Sequence, residues 1–232
     1  MKKQFLTMLV SFCVAVTAFA GGGQEGPERP RDQGATGERI EIHLEPGPHY
    51  SKRVNAFLFF GYTVYPQVAV WIQTQDSEYI QTLYVTQAAA EGNYSFAPEE
   101  GRPEALPVWS GIQEQNIDAV SSATSTDTAV SYGSSLVSQL EPGTYLIKLE
   151  TNRSYDWNET YTEENSGVNG QPSLIYQAEL TIGRGEDTAE FDLIGTGSVD
   201  GSGSVIHSGL DGIDTALGLF SVMEVRYIPE QR

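Results

Sequence analysis

The sequence predicts an all-β protein, an antiparallel sandwich that carries long loop insertions. Short runs of alternating apolar and polar residues recur from Arg39 onward, Gly and Pro turns separate them, and no long stretch has helical spacing. Alternation with a period of two places every second side chain on the same face of a strand, as a sheet with one buried face requires. About eight such runs favour two packed sheets.

The composition supplies a folded core and a strong negative charge. Of the 232 residues, 39% are hydrophobic, and 31 Asp and Glu against 13 Lys and Arg give a formal net charge of −18. Nucleic-acid binding needs clustered Lys and Arg, so we expect no nucleic-acid partner. The single cysteine, Cys13, excludes an intramolecular disulfide and a Cys-ligated zinc or iron–sulfur site.

Residues 1–20 have the features of a cleaved export signal. Two lysines near the start precede an apolar run, and Ala18-Phe19-Ala20 supplies the small–x–small pattern of a cleavage site. The apolar run is short for a membrane span, which needs roughly 20 residues, so no transmembrane anchor is expected after cleavage. The mature chain is therefore expected to begin at Gly21 and to be periplasmic or secreted.

The mature chain divides into a linker and one domain. Residues 21–38 are rich in Gly, Pro and charge and lack apolar periodicity, which predicts a disordered linker. Residues 39–232 are then the β-sandwich domain. Its first set of predicted strands covers residues 40–44, 54–60, 68–72 and 79–86, and the Asp76-Ser77 turn predicts that the last two pair as a hairpin.

The strand at residues 68–72 gives a specific expectation about faces. Its alternation buries Val68, Val70 and Ile72 together on one face. Gln67 and Gln73 are expected to point outward.

A second set of strands follows in the C-terminal half. The predicted strands are residues 144–150, 174–182, 189–193 and 220–228, and residues 211–217 are expected to make one helical turn. Between and within the two sets lie three insertions, at about residues 87–140, 152–171 and 195–212. Long polar segments of a compact domain are usually functional or disordered, so a specific function is expected on these insertions.

One short motif carries a specific chemistry. The segment Asp118-Ala119-Val120-Ser121-Ser122-Ala123-Thr124 resembles the acceptor sequence of bacterial flavin transferases, with Ser122 at a position that is usually Gly. The resemblance implies that the Thr124 hydroxyl attacks the FAD pyrophosphate and keeps FMN through a phosphoester. Asp118, Ser121 and Ala123 would complete the acceptor motif. The FMN-binding domains of sodium-pumping quinone reductases carry such a site.

Covalent FMN would imply particular protein partners and aromatic side chains that stack on the flavin ring. The partners would be a flavin transferase and a membrane or periplasmic redox partner. Trp71, Trp109 and Tyr132 are candidates to stack on the ring, with packing in the core as the alternative for each. The alternative for the motif itself is a polar loop in which Asp118 caps a turn and Ser121 bonds to the backbone.

A broader resemblance covers most of the chain from about Pro66 to Tyr227. The segments VAVWIQTQDSEYIQTLYVT, LPVWSG, IDAVSSAT and EPGTYLIKLE resemble a family of periplasmic proteins that is also labelled flagellar hook-capping-like. The resemblance implies an immunoglobulin-like β-sandwich, and such proteins tend to occur beside extracytoplasmic redox and flavin-transfer systems. The Trp-Asp-Gly-like turn that usually precedes the family's Pro-Gly-x-Tyr strand is absent here.

Two functions from different classes remain open. The first is a covalent FMN carrier in extracytoplasmic electron transfer, in which the flavin supplies the redox chemistry. The second is a non-enzymatic binding or assembly module of the cell envelope, whose insertions contact protein or polysaccharide. The sequence has no nucleophile elbow, zinc-protease motif or phosphate loop, so no catalytic residue is predicted.

Metal binding has little support in the sequence. The three histidines have no near ligand at a suitable spacing. A group of oxygen-bearing side chains in and just after the third insertion lacks the regular spacing of a calcium loop, so a solvated loop is the preferred interpretation. Its members are Asp200, Ser202, Ser204, Asp211 and Asp214.

Overall fold

The computed structural model describes residues 37–57, 60–92, 94, 102–112, 120–122, 128–132 and 137–230. Their regular secondary structure is mostly strands of antiparallel sheets that pack face to face, which confirms the all-β antiparallel sandwich. The predicted export signal and all but the last two residues of the predicted linker lie outside the described residues. In the part of the chain that is described, no helix is long and apolar enough to cross a membrane.

Twelve strands are present in the described residues, more than the sequence predicts. In chain order they are β1 (Arg39–Pro46), β2 (Lys52–Phe57), β3 (Phe60–Val64), β4 (Gln67–Gln73), β5 (Tyr79–Thr86), β6 (Val120–Ser122), β7 (Thr128–Tyr132), β8 (Gly143–Asn152), β9 (Leu174–Ile182), β10 (Asp187–Glu190), β11 (Asp192–Thr196) and β12 (Phe220–Ile228). The helices are short: α1 (Gln87–Glu91), α2 (Pro107–Ile112) and α3 (Glu163–Ser166), with 3-10 turns at Pro103–Ala105 and Thr215–Gly218. The second 3-10 turn matches the helical turn expected near residue 215.

The strands form two large sheets and a separate hairpin. One sheet has the order β10-β12-β1-β7, and the other has the order β11-β9-β8-β4-β5-β6. All described pairs are antiparallel except β5 with β6. The β4–β5 hairpin turns at the predicted place, where the backbone of Ser77 adopts a positive φ of 65°. Within the described part of the chain, β2 and β3 pair with each other and with neither large sheet.

The main core lies between the two large sheets and follows the predicted alternation. Ile40, Ile42 and Leu44 of β1 face the apolar residues of β4, β8 and β9. Val68, Val70 and Ile72 are buried together in this core, as predicted. Because every second residue of each strand points the same way, the period of two in the sequence directly builds this layer.

A second apolar layer covers the outer face of the six-stranded sheet. Ala69 and Trp71 of β4 point into it, and Leu106, Val108 and Trp109 of the first insertion pack over them. Gln73 lies on the outer face of β4, as the alternation predicts, but this face is covered and Gln73 is only 7% exposed. Both faces of β4 are buried because α2 and the residues before it fold back onto the sheet.

Three parts of the sequence fold differently from the prediction. Residues 54–60 are not one strand, because the chain reverses between Phe57 and Phe60 to form the β2–β3 hairpin. Residues 189–193 are two strands, and the chain passes from one large sheet to the other at the buried Phe191. Residues 87–140 are not a continuous loop, since this insertion supplies α1, α2, β6 and β7.

Candidate functional site

The predicted flavin acceptor motif is only partly within the described residues. Asp118, Ala123 and Thr124 lie outside them. The backbone of Ser121 lies in β6, at the edge of the six-stranded sheet, where it pairs with Val85. Ser121 is therefore in a strand rather than in the loop that the sequence predicts.

The aromatic residues considered for a flavin wall have structural roles. Trp71 and Trp109 are each 1% exposed and pack in the second apolar layer. The indole Nε1 of Trp109 donates to Thr82 Oγ1 at 2.9 Å, which anchors α2 to β5. Burial leaves neither ring free to stack on an external ligand, and the packing alternative holds for both. Tyr132 contributes its backbone to β7, and its side chain is outside the described part of the chain.

The structure instead brings the second and third insertions together around an open cleft. The cleft has a volume of about 550 Å³, and Tyr161 and Asn165 of the second insertion form one wall. The third insertion forms the other wall with residues that include Ser198, Asp200, His207 and Asp211. The sequence places functional residues on these insertions in general, but it does not indicate that they share a cavity.

Hydrogen bonds hold the two walls at a fixed separation. Asn158 Nδ2 donates to the carbonyl oxygen of Gly212 at 2.8 Å, and Tyr161 Oη donates to the carbonyl oxygen of Asp211 at 3.1 Å. Thr196 and His207 exchange two backbone hydrogen bonds of 2.8 Å, which close the third insertion into a loop at the end of β11. The cleft is thus formed by insertions that are tied to each other and to the sandwich.

The cleft is lined by acidic and neutral polar groups. Hydrogen bonds from the hydroxyl and amide of Ser202 lower the pKa of Asp200, so this carboxylate stays ionised at neutral pH. Burial and the charge of Asp211 raise the pKa of Tyr161, which keeps its hydroxyl protonated. No Lys or Arg is among the described residues that line the cleft. Such a surface repels anions and favours neutral or cationic ligands.

A buried polar network supports the base of the second insertion. Arg153 and Asp156 form an ion pair with both side chains 4% exposed, and Asp156 Oδ1 also accepts from Thr215 Oγ1 at 2.7 Å. Gln171 ties the end of the second insertion to the start of the second 3-10 turn, because its Nε2 donates to Asp214 Oδ1 at 2.7 Å and its Oε1 accepts from the Asp214 amide at 2.8 Å. Buried polar groups that are paired in this way fix a loop in one conformation.

Three half-buried aromatic side chains form a cluster beside this network, which we call the aromatic cluster: Tyr62, Tyr155 and Trp157. The Tyr155 ring lies edge-to-face with Tyr62, at 6.3 Å and 73°, and with Trp157, at 5.4 Å and 82°. Tyr62 Oη donates to Tyr155 Oη at 2.8 Å, and Lys52 Nζ donates to the Tyr155 carbonyl oxygen. The β2–β3 hairpin is therefore joined to the second insertion through this cluster.

Glu150 is a buried acid that the sequence does not single out. It lies on the outer face of β8, is 0% exposed, and accepts from the amide nitrogens of Val108 at 3.2 Å and Trp109 at 2.7 Å. Ser173 Oγ donates to the same carboxylate at 2.6 Å. Burial raises the pKa of Glu150 to about 7, and the three hydrogen bonds lower it in part. This carboxylate fastens the start of α2 to the sheet.

Two of the residues considered for calcium, Asp200 and Asp214, make local hydrogen bonds to their chain neighbours. Asp200 binds Ser202, and Asp214 accepts from the amide of Thr215 at the start of the 3-10 turn. Hydrogen bonds from Thr215, Asn158 and Gln171 lower the pKa of Asp214. Among the described residues, no three His, Cys, Asp or Glu side chains are grouped so that they could hold a metal ion.

The site therefore consists of the cleft, the buried polar network and the aromatic cluster, each of which includes residues of the second insertion. The contacts of Tyr155 and Tyr161 join segments that are far apart in the chain, so the sequence does not show that these aromatic residues belong to one site. Comparison of the chain with protein-family models, with curated proteins and with solved structures finds no match.

Proposed function

We propose that this protein is a non-catalytic binding module of the cell envelope, exported to the periplasm or secreted, and that the cleft holds its ligand. The observation that carries the proposal is the cleft of about 550 Å³ between two insertions that are hydrogen-bonded to each other. Volumes of this size suit small polar molecules or one end of a larger ligand. Loops fixed on a rigid scaffold are where binding residues concentrate.

The chemistry of the cleft supports binding rather than catalysis. Tyr161 offers an aromatic ring, and Asn165, Ser198 and Ser202 offer donors and acceptors for a hydroxyl-rich ligand. Glu150, the one buried acid among the described residues whose pKa is strongly raised, accepts hydrogen bonds from backbone amides and a serine hydroxyl. It therefore has a structural task rather than the free position of a general acid.

A substitution at Gly209 tests the proposal. Gly209 lines the cleft, and a Cβ atom added there would meet no atom within 4 Å, so Gly209→Phe adds bulk to the cleft without a clash at the backbone. Saturation-transfer NMR would screen the wild type against sugars, oligosaccharides, amines and short peptides. We expect at least one ligand whose signal is lost in Gly209→Phe.

The matched control is Val205→Phe in the same insertion. Val205 is 63% exposed and does not line the cleft, so this variant adds the same ring outside the site. It should bind as the wild type does. If no compound shows a signal that depends on Gly209, the cleft is not a ligand site and the proposal fails.

A covalent FMN carrier is the second candidate, favoured by the position of the acceptor motif along the chain. Thr124 falls between β6 and β7, which are edge strands of the two sheets. Edge strands leave one side of the backbone open for pairing with another chain, and a flavin transferase has to bind its acceptor segment. On this proposal Thr124 holds FMN, and the flavin transferase recognises Asp118, Ser121 and Ala123.

Flavin attachment has a direct readout. Thr124→Val removes the hydroxyl and keeps the size of the side chain, whereas Thr124→Ser keeps a hydroxyl. Each variant would be produced together with a flavin transferase and FAD, then examined by intact mass and in-gel flavin fluorescence. We expect flavin on the wild type, some on Thr124→Ser and none on Thr124→Val. Equal labelling of the wild type and Thr124→Val, or none on either, would rule out the carrier.

A further inference from the structure

We infer that the ligand is an uncharged oligosaccharide chain that lies across both the cleft and the aromatic cluster. This inference rests on the proposed binding function and names its ligand class. It follows from the short turn that connects Trp157 of the cluster to Tyr161 of the cleft, the chemistry of the aromatic rings and the charge of the cleft.

The cleft and the aromatic cluster are joined by one tight turn. Asn158 Oδ1 accepts from the amides of Thr160 at 3.0 Å and Tyr161 at 2.8 Å, and the Asn158 amide donates to the Tyr161 carbonyl oxygen at 3.0 Å. Trp157 precedes this turn and Tyr161 ends it, so their α-carbons are at most about 11 Å apart. A short oligosaccharide is long enough to contact both rings at once.

The polar atoms of the aromatic cluster are engaged within the protein. Tyr62 and Tyr155 share a hydrogen bond between hydroxyl groups, and Trp157 Nε1 donates to the Gly167 carbonyl oxygen at 2.7 Å. What the cluster offers to a partner is therefore mainly aromatic carbon. Sugar rings have C–H faces that pack on aromatic carbon while their hydroxyls stay hydrated, and Tyr and Trp are frequent in such contacts.

The backbone at Tyr155 is held in an unfavourable conformation. Its φ of 61° is in the left-handed region, where a bulky residue is rare. The Tyr155 amide donates to the Val168 carbonyl oxygen at 2.6 Å, and Lys52 holds its carbonyl oxygen. Such strain persists when the surroundings fix it, and it is found mainly at functional sites. Here it directs a tyrosine toward Tyr62 and Trp157.

The negative charge of the cleft favours neutral glycans over acidic ones. Asp200 and Asp211 line the cleft, no Lys or Arg does so in the described residues, and the whole chain carries −18. Uronic acid or sulfated chains would bring carboxylates or sulfates against these aspartates, which is unfavourable. Neutral chains carry no such penalty.

Tryptophan fluorescence gives a local readout of binding. Trp71 and Trp109 are buried in the second apolar layer, so a change in emission on adding a sugar reports mainly on the half-buried Trp157. The probes are neutral oligomers of N-acetylglucosamine, glucose and mannose, from the monosaccharide to the hexasaccharide, together with oligogalacturonates as the acidic series. We expect one neutral series to bind more tightly as its length increases, and the acidic series not to bind.

Variants distinguish this inference from the proposed function. Trp157→Ala should weaken binding of the hexasaccharide by about tenfold or more and leave the shortest bound sugar unchanged, as measured by calorimetry. Trp157→Phe keeps an aromatic ring, so it should retain most of the affinity for the hexasaccharide. This variant shows whether the loss of affinity in Trp157→Ala comes from misfolding. Gly209→Phe should abolish binding at every length.

Each outcome has a defined meaning. Preferential binding of oligogalacturonate, affinity independent of length, or full hexasaccharide affinity in Trp157→Ala would overturn the oligosaccharide inference. A ligand of another class that binds in the cleft, with no neutral glycan bound, would also overturn it while leaving the proposed function in place. Glycan binding that Gly209→Phe does not weaken would count against the cleft itself, and so against both.

Discussion

Glu150 is the residue at which stability and pH are coupled most directly. Its carboxylate is surrounded by protein, and burial raises its pKa from 4.5 to about 7 although three donors stabilise the charge. The folded protein therefore holds this proton more tightly than the unfolded chain does. The resulting contribution to stability is fully present below about pH 4.5 and is lost as the pH rises toward 7.

We predict that Glu150→Gln removes this part of the pH dependence. Between about pH 4.5 and about pH 7 the wild type should lose up to about 3 kcal/mol of unfolding free energy that the variant does not lose. The measurement is urea unfolding of both proteins at a series of pH values. Stability profiles that run parallel through this range would contradict the prediction.

At the scale of elements, α2 and the residues before it act as a third layer on the sandwich. Trp109 packs against the outer face of the six-stranded sheet, while Glu150 and Thr82 hold its backbone and its indole nitrogen. This layer explains why an insertion with little periodicity is ordered at this point. Its apolar residues are buried against the outer face of the six-stranded sheet, on the side opposite the main core.

We predict that Trp109→Ala destabilises the protein by about 3–5 kcal/mol, as is usual when a buried aromatic side chain is removed. The expected change is a lower midpoint in urea unfolding followed by far-ultraviolet circular dichroism. Leu217→Ala is the control, because Leu217 is 47% exposed and its truncation should change stability by about 0.5 kcal/mol or less. An unchanged midpoint in Trp109→Ala would show that the third layer adds no stability.

The same elements show what the sequence can and cannot predict. Strands β1, β4, β5, β8, β9 and β12 follow from periodicity, because each buries one face in the main core. The passage of the chain from one sheet to the other at Phe191 does not follow from periodicity. Ala189, Phe191 and Leu193 continue the apolar alternation across this point, so the sequence indicates a single strand. The cleft is also beyond the sequence, because hydrogen bonds between residues about fifty positions apart form it. The flavin acceptor stays a prediction, as Thr124 lies outside the described residues.

At the scale of the whole molecule, charge is the dominant property. A net charge of −18 on 232 residues, without a disulfide, means that like charges repel across a compact surface. The described ion pairs are few, and those near the surface, such as Arg226–Glu186, offset little of this repulsion. The apolar layers therefore carry most of the stability.

We predict that the melting temperature rises with salt, because ions screen this repulsion. Each kcal/mol of repulsion that salt removes should raise the melting temperature by about 2–4 °C for a protein of this size. Thermal unfolding in increasing NaCl measures the effect, and KCl at equal ionic strength should reproduce it. A melting temperature that falls with salt would mean that attractive ion pairs outweigh the repulsion.

The crossing at Phe191 also determines how the two sheets can move apart. β10 and β11 are the edge strands of different sheets, and one residue joins them, so the sheets are covalently linked along that side. Sliding one sheet over the other would stretch the backbone at this point. The opposite edges, β6 and β7, are joined by the longer connection of residues 123–127, so mechanical separation would begin there, with the Phe191 side acting as the hinge.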